Sequence, residues 1–266
     1  CHDGWGALSG SKDSKYGYGK SQKGNSYIKT FGGPNQSYKT GLTKQFPDAN
    51  KLDSSKARES NLQFKLEDGV TIEMWLKKPA FDTAKTEKEV LFDLWNGELT
   101  SSAQYGRLRL ELDGTTSGSP FLLTAVGPES GGSGLDGIIM QSIGTNLTKA
   151  SISDWTHVAV SLKNSGSDIQ TNLYINGALN QRQTFSGEAI SEVTGTLISY
   201  IGALQTSPFD TPDAVEGAGR FSGSIDEFRY WKTERTSKDI GRYYWTNIGA
   251  GTNTDEANTD LGVYYK

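Results

Sequence analysis

The feature that most constrains this chain is a series of short apolar runs, separated by turn residues, that begins at Asn61. In VTIEMWLK (70–77), for example, apolar residues alternate with polar or aromatic ones. An alternation of period two is typical of a strand that buries one face. Ten such strands need two sheets. We therefore predict an all-β, two-sheet antiparallel sandwich. The predicted strands are 61–66, 70–77, 89–95, 106–113, 120–126, 137–142, 155–163, 171–176, 196–202 and 221–231.

Two local signals define connections between these runs. Asn176-Gly177 lies between two strand-like runs, and this dipeptide favours a type I′ hairpin turn because both central residues need a positive φ. Thr236-Ser237-Lys238-Asp239 matches a helix capping box. We therefore predict one short helix near 236–245.

The segments on either side of the strand-rich region differ from it in composition. Residues 1–60 contain few apolar residues and carry ten Lys or Arg against five Asp or Glu, whereas the remainder carries 17 against 26. The lysines are scattered, so we predict an extended, solvated arm with few strands rather than a nucleic-acid surface. Residues 247–266 form a polar linker followed by the strand-like LGVYYK, which would close this domain or open a further module.

No apolar run approaches the roughly 20 residues that a membrane-spanning helix needs, so no membrane span is expected. Cys1 is the only cysteine, which excludes an internal disulfide and a cysteine-based zinc site. Cys1 would carry a lipid in a mature bacterial lipoprotein, but we favour a fragment boundary at this position.

Five segments carry a family resemblance. VTIEMWLKKP, WTHVAVSL, NLYINGALNQ, YIGA and FSGSIDEFRYWKTERTSKDI occur in this order, and together they resemble the laminin-G-like, or pentraxin-like, domains of the concanavalin A-like lectin/glucanase superfamily. The resemblance implies a jelly roll over residues 61–246 whose final helix covers one edge. Because this fold carries lectins, glycosidases and passive spacers, the function has to be argued from the site.

A second resemblance concerns the end of the chain. The segment RYYWTNIGAGTNTDEANTDLGVYYK (242–266) is similar to a junction in large multidomain structural proteins of tailed phages, especially marine ones. This resemblance implies a virion protein whose partners are other virion structural proteins and host-surface glycans. Formation of a homo-oligomer stays open.

The sequence does not match the residue patterns of the catalytic sites expected for this superfamily. Glycoside hydrolysis needs two carboxyl groups roughly 5–10 Å apart across a cleft, and the nearest match to the acid run of the superfamily's glucanases, Glu111-Leu112-Asp113, lacks the third acid. Asp226 and Glu227 are adjacent on a predicted strand, so they should point to opposite faces. His157 occupies a position where the family commonly has a structural histidine. We expect no catalytic residue, a structural His157, and an Asp226 that orients backbone amides or an arginine.

The resemblance implies a calcium site at the rim of the sandwich. Calcium takes six to eight oxygen ligands, and the loop LQTSPFDTPDAVEGAG (204–219) is rich in carboxylates. An acidic, solvated loop is the alternative. The candidate ligands are Gln205, Asp210, Asp213 and Glu216, with Asp136 approaching from a neighbouring loop.

Carbohydrate binding would use aromatic rings near the same rim, because a flat ring can stack on a sugar face while polar groups bind its hydroxyls. The candidates are Trp95, Asn96, Tyr105 and Phe209. No phosphate-binding loop or dinucleotide fingerprint is present, so nucleotide and nucleic-acid partners are not expected.

These observations predict a non-enzymatic structural or adhesion module of a phage virion or another extracellular assembly, which contacts structural subunits and host-surface glycans. One alternative is a secreted or lipid-anchored bacterial lectin that depends on calcium. A glycoside hydrolase or polysaccharide lyase is another.

Overall fold

The computed structural model describes residues 27–31, 61–81, 88–195, 197–208, 215–248 and 260–266. Within these residues, two six-stranded antiparallel sheets enclose one hydrophobic core. The prediction of an all-β, two-sheet antiparallel jelly-roll sandwich with one short helix is therefore confirmed.

The first sheet has the strand order β1-β10-β3-β4-β5-β6. Neighbouring strands in this sheet are antiparallel, and β10 lies between the N-terminal strand β1 and strand β3. The strands are β1 (Ile28–Phe31), β10 (Ile198–Ile201), β3 (Glu89–Trp95), β4 (Arg107–Leu112), β5 (Phe121–Pro128) and β6 (Leu135–Ser142).

The second sheet has the order β14-β13-β2-β7-β8-β9. Strands β11 (Leu204–Gln205) and β12 (Glu216–Ala218) pair with each other as a separate two-stranded sheet. A 3-10 turn (Lys149–Ile152) precedes β7. The strands of the second sheet are β14 (Leu261–Tyr265), β13 (Ser224–Trp231), β2 (Val70–Lys77), β7 (Thr156–Ser165), β8 (Asp168–Ile175) and β9 (Ala178–Phe185).

The core forms where the inner faces of the two sheets meet. The ring of Phe92 on β3 lies 5.2 Å from that of Phe228 and 5.5 Å from that of Tyr230, both on β13. Every second residue of β2, from Val70 to Leu76, is fully buried in the same cluster. Burying one such side chain contributes about 1.5–3 kcal/mol, so the period-two alternation of β2 stabilises the sandwich substantially.

The predicted hairpin and helix are both present. Asn176 and Gly177 connect β8 to β9 with φ values of 50° and 78°, as a type I′ turn requires. Helix α1 (Ser237–Tyr243) begins after Thr236, whose side chain accepts from the backbone N–H of Asp239 in a capping box.

The helix lies at the β9 edge of the second sheet, as expected. Ile240 packs against Ala159 of β7 and Tyr174 of β8, so α1 also covers part of the outer face of that sheet. The small side chain of Ala159 leaves room for the helix to approach the sheet. Among the described residues, no helix is long and apolar enough to span a membrane.

Strand boundaries also depart from the prediction. Residues 61–66 alternate in hydrophobicity, yet they form only an isolated bridge from Phe64 to Val193, because their buried side chains fill the core without a neighbouring strand for pairing. Strands β1 and β14 lie outside 61–246 and pair with β10 and β13. The segment LGVYYK therefore completes the second sheet.

Candidate binding site

Asn96, predicted to bind sugar hydroxyls, makes its side-chain hydrogen bonds within the protein, around the loop between β3 and β4. Its Nδ2 donates to the carbonyl oxygens of Gln104 (2.7 Å) and Thr194 (3.1 Å). Its Oδ1 accepts from the backbone N–H groups of Glu98 (3.3 Å) and Gly106 (3.1 Å). These bonds use the hydrogen-bonding capacity of the amide, so Asn96 organises the loop instead of facing a ligand.

Trp95, predicted to stack on a sugar, is only 3% exposed. Its Nε1 donates to the carbonyl oxygen of Glu98 (3.0 Å), and the guanidinium of Arg107 lies over its ring at 4.9 Å. The ring face therefore stacks with a cation of the protein itself. Tyr105, the next candidate, is half-buried.

Arg107 forms the centre of a buried ion pair on the outer face of the first sheet. Its Nε and Nη2 donate to the two carboxylate oxygens of Asp93 at 2.6 and 2.9 Å. Nη2 also donates to the carbonyl oxygen of Gln205 (2.7 Å). Burial opposes the charge of Arg107, but Asp93 outweighs that effect and raises the pKa of Arg107, with a smaller contribution from Tyr105. Asp93 is thereby fully engaged.

Gln205 and Glu216, both predicted calcium ligands, anchor the β11–β12 hairpin to the first sheet. The Tyr200 hydroxyl donates to Gln205 Oε1 (2.8 Å) and to Glu216 Oε1 (3.2 Å). Glu216 also pairs with Lys29 at 2.9 Å. Burial, reinforced by Glu216, raises the pKa of Tyr200, so the hydroxyl keeps its one proton, which the two acceptors share.

Asp136, the third described calcium candidate, lies elsewhere. The backbone N–H of Gly137 donates to Asp136 Oδ1 (2.9 Å) and to Glu188 Oε2 (3.2 Å). Desolvation and the adjacent Asp136 carboxyl raise the pKa of Glu188. Asp136 is on the edge strand β6, four strands away from β10, which leads into the β11–β12 hairpin. Four strand spacings of about 4.8 Å give roughly 19 Å, far beyond the reach of one ion.

The described candidates therefore do not fit a shared calcium site. Phe209, Asp210 and Asp213 lie outside the described residues. Within the described ranges, no group of three or more His, Cys, Asp or Glu side chains is arranged to hold a metal ion.

Two further charged residues of β4 lie on the same outer face. Arg109 Nε approaches Glu111 Oε2 at 3.2 Å, but neither atom has a hydrogen-bond partner in the described part of the chain. The side chain of Arg109 is 19% exposed, whereas Glu111 is 4% exposed. Burial raises the pKa of Glu111, against the opposing effect of Arg109. Here a partly accessible guanidinium covers a buried carboxylate.

Strand pairing places this pair in a row of polar side chains on the outer face. Arg109 lies opposite Asp93 on β3 and Thr124 on β5. We call the set formed by Asp93, Arg107, Arg109, Glu111 and Thr124 the polar face; Arg109 is its partly exposed member, and the other four are buried. The sequence prediction included only Glu111 from this set. The alternation in RLRLEL was a usable signal, because residues two apart on a strand share a face.

Asp113, the second acid of the Glu111-Leu112-Asp113 motif, is held in a turn. Its Oδ1 accepts from the backbone N–H (2.8 Å) and the hydroxyl (2.6 Å) of Thr115. The hydrogen bond from the Thr115 hydroxyl lowers the pKa of Asp113. This carboxylate stabilises the turn after β4 and is not paired with Glu111.

On the second sheet, His157 is buried beside a charged cluster. Its Nε2 lies 3.5 Å from Glu73 Oε2. Glu73 Oε1 accepts from Trp231 Nε1 (2.7 Å) and from Arg229 Nη1 (3.3 Å). Burial opposes the charge of Glu73, but the hydrogen bond to His157 and the charge of Arg229 outweigh it and lower the pKa of Glu73 to about 2.

Asp226 and Glu227 do not point to opposite faces as predicted. A β-bulge interrupts the pairing between β13 and β2 at this point, and Glu227 has a φ of 51°. Asp226 Oδ1 accepts from the backbone N–H of Glu227 (2.9 Å). Arg229, the nearby arginine, bonds Glu227 (3.0 Å) instead of Asp226. The extra residue in the bulge rotates both acids toward the outer face.

Comparison with known proteins gives a family match and several distant structural likenesses. No curated protein matches the chain. A SAP-like pentraxin from Limulus polyphemus has 13% identity over 67% of this chain and 70% of its own, with a TM-score of 0.40. A putative carbohydrate binding protein from Bacteroides ovatus has 19% identity over 75% and 45%, with a TM-score of 0.40. The Ruminococcus gnavus IT-sialidase CBM40, bound to sialyllactose, has 16% identity over 68% and 90%, with a TM-score of 0.42.

The family match covers most of the chain. A model described as the concanavalin A-like lectin/glucanases superfamily matches residues 50–241. This range contains the strands of both sheets from β2 to β13 together with the first turn of α1. The chain belongs to the Laminin_G_3 family of the concanavalin A-like lectin/glucanase superfamily.

Proposed function

We propose that this chain is a non-enzymatic adhesion module that binds saccharides through the polar face of its first sheet. The observation that carries the proposal is Arg109. Its side chain is 19% exposed, and its buried Nε has no hydrogen-bond partner within the described residues, although it sits among the charged groups of that face. An arginine with unused donors can bind an oxyanion with paired, charge-assisted hydrogen bonds.

The chemistry of Arg109 indicates which saccharides the polar face prefers. Glu111 beneath it is buried, so it approaches the guanidinium only from the inner side, at Nε. Asp93 is already neutralised by Arg107. A sugar carboxylate or sulfate would therefore find a cation whose donors are unoccupied. Host-surface glycans that carry such groups are the proposed ligands.

The same contacts argue against hydrolysis at the polar face. A glycosidase needs two carboxyl groups that are both free to act on the scissile bond. Both oxygens of Asp93 accept from Arg107, and Asp113 is held by Thr115. Glu111 has the raised pKa of a general acid, yet the described face offers it no free carboxylate partner.

A glycan array with acidic and neutral saccharides tests this proposal. Arg109→Ala should weaken binding of acidic saccharides by about tenfold or more, because a hydrogen bond to a charged group is worth about 1.5–3 kcal/mol. Lys163→Ala, which removes a charge from the second sheet, should leave binding unchanged. Equal binding by wild type and Arg109→Ala would contradict the proposal.

Repeating the array with calcium and with a chelator shows whether the saccharide binds at the polar face or at the acidic loop. Binding to the polar face should persist in the chelator. Loss of all binding would move the site to residues 209–214, which include Asp210 and Asp213.

The setting that we propose is the surface of a phage virion or another extracellular assembly, where the module also contacts structural subunits. The resemblance of residues 242–266 to a virion junction supports the first setting. Labelling purified particles and producer-cell surfaces with an antibody to residues 61–246 distinguishes it from a secreted or lipid-anchored lectin. Label on cells alone would contradict the virion assignment.

A further inference from the structure

We infer that the second sheet carries a separate saccharide site on its outer face, one that binds neutral sugars by aromatic stacking. We call it the aromatic face, formed by Trp75, Trp155 and Tyr244 with Asp226 at its border. It lies on the other side of the sandwich from the polar face, so it goes beyond the function proposed above and does not depend on Arg109.

Two rings of this face, those of Trp75 and Tyr244, contact each other and the ring of His157 beneath them. The ring of Trp75 lies 6.1 Å from that of Tyr244 and 5.7 Å from that of His157. The rings of His157 and Tyr244 are 5.3 Å apart. His157 is buried, while Trp75 and Tyr244 are half-buried. The cluster therefore has a packed base and an accessible upper edge.

Trp155 adds the accessible surface. It precedes β7 by one residue, and the alternation of that strand places it on the same side as His157, which pairs with Trp75. Such a diagonal neighbour of Trp75 lies about 7–8 Å away, within reach of an aromatic side chain. Trp155 is 46% exposed, although the two residues that follow it are buried. A large, partly exposed aromatic ring on the same side of the sheet as Trp75 can stack on the apolar face of a sugar.

Charged groups at the border indicate the ligand's charge. Asp226 on β13 lies opposite Trp75 and is exposed. Among the described residues, its side chain accepts one hydrogen bond, at Oδ1 from the backbone N–H of Glu227. Lys77, on the other side, pairs with Asp154 at 3.3 Å. Two carboxylates and one ammonium give the border a net negative charge. The carboxylates can accept hydrogen bonds from sugar hydroxyls, and they repel sugars that carry an acid.

The face is held rigidly in place. The backbone N–H of His157 donates to Asn176 Oδ1 (2.9 Å), which ties β7 to the β8–β9 turn. A Cβ on Gly177 would lie 2.5 Å from the ring of Tyr244, so this ring rests directly on the turn. Binding would then require little ordering of Trp75 and Tyr244, which lowers its entropic cost.

Titration calorimetry with a panel of neutral gluco-, manno- and galacto-oligosaccharides tests the inference. Trp155→Ala should weaken binding of the neutral ligand by about tenfold, since it removes the stacking ring. Its affinity for acidic saccharides should stay as in wild type. Ile139→Ala removes a 58% exposed apolar side chain from the first sheet and should change neither affinity. Asp226→Asn should relax the discrimination against acidic saccharides.

Three results would overturn the inference. The first is that no member of the neutral panel binds. The second is equal affinity of wild type and Trp155→Ala for the neutral ligand. The third is a wild-type dimer that Trp155→Ala converts to a monomer in sedimentation experiments, because the aromatic face would then bind a second copy of the chain. Failure of the polar face would appear separately, as unchanged binding of acidic saccharides by Arg109→Ala.

Discussion

The buried carboxylate of Glu73 makes the stability of this domain depend on pH in a way that can be calculated. Its pKa is lowered from 4.5 to about 2 in the folded protein. A difference of about 2.5 in pKa corresponds to roughly 3 kcal/mol, at about 1.36 kcal/mol per pKa unit. Because the folded pKa is the lower one, this stabilisation is fully present above pH about 4.5 and is lost as the pH falls through about 2.

Glu73→Gln isolates this contribution. The amide oxygen can still accept from Trp231 Nε1, but the negative charge facing Arg229 and His157 is gone. At neutral pH we expect the variant to be less stable by roughly 3 kcal/mol. Near pH 2 the two proteins should converge, because Glu73 of the wild type is then becoming protonated and loses the same charge.

Urea unfolding followed by tryptophan fluorescence, at neutral pH and near pH 2, measures both differences. Glu192→Gln is the control, since that carboxylate is exposed and its loss should shift stability little at either pH. A stability difference between wild type and Glu73→Gln that is the same at both pH values would refute the reasoning. A variant more stable than wild type at neutral pH would also refute it, since the buried charges would then cost more than they contribute.

Three further substitutions test local features by thermal or urea unfolding. Asp93→Asn should destabilise the fold by about 3–5 kcal/mol, because the buried Arg107 loses its only carboxylate partner within the described residues; a loss below about 1 kcal/mol, as for an exposed pair, would contradict this. Gly177→Ala should cost more than about 1 kcal/mol, since φ is 78° and the new Cβ would clash with the Tyr244 ring; unchanged stability would show that the ring moves freely. Thr236→Ala should cost about 1 kcal/mol by removing the helix cap, whereas Thr236→Ser should restore most of it.

The features that the sequence predicted well are those determined by neighbouring residues. The alternation in β2 depends only on which side chains are apolar. The Asn176-Gly177 turn and the Thr236 cap likewise depend on the backbone preferences of a few consecutive residues. These signals sufficed for the sandwich, the hairpin and the helix.

The features that were missed depend on distant partners. Residues 61–66 alternate like a strand but have no adjacent strand with which to pair beyond one bridge. The bulge at Glu227 requires knowledge of the pairing with β2. The β11–β12 hairpin is held in part by Arg107, which lies 98 residues before Gln205 in the sequence.

The candidate site shows the same division. Residue type identified Trp95 and Asn96 as possible sugar ligands, but Arg107 and the loop carbonyls satisfy them inside the protein. Trp155 was assigned to a strand, and nothing in its sequence context distinguishes an exposed strand residue from a buried one. Its exposure results from the absence of packing against its ring, which only the three-dimensional structure reports.

The central claim is that the chain binds saccharides without cleaving them. The most direct measurement is mass spectrometry of a saccharide that the array identifies as a ligand, recovered after prolonged incubation with the protein. We expect the saccharide to be retained and recovered with its mass unchanged. Shorter products, formed by wild type and absent with Glu111→Gln, would contradict it.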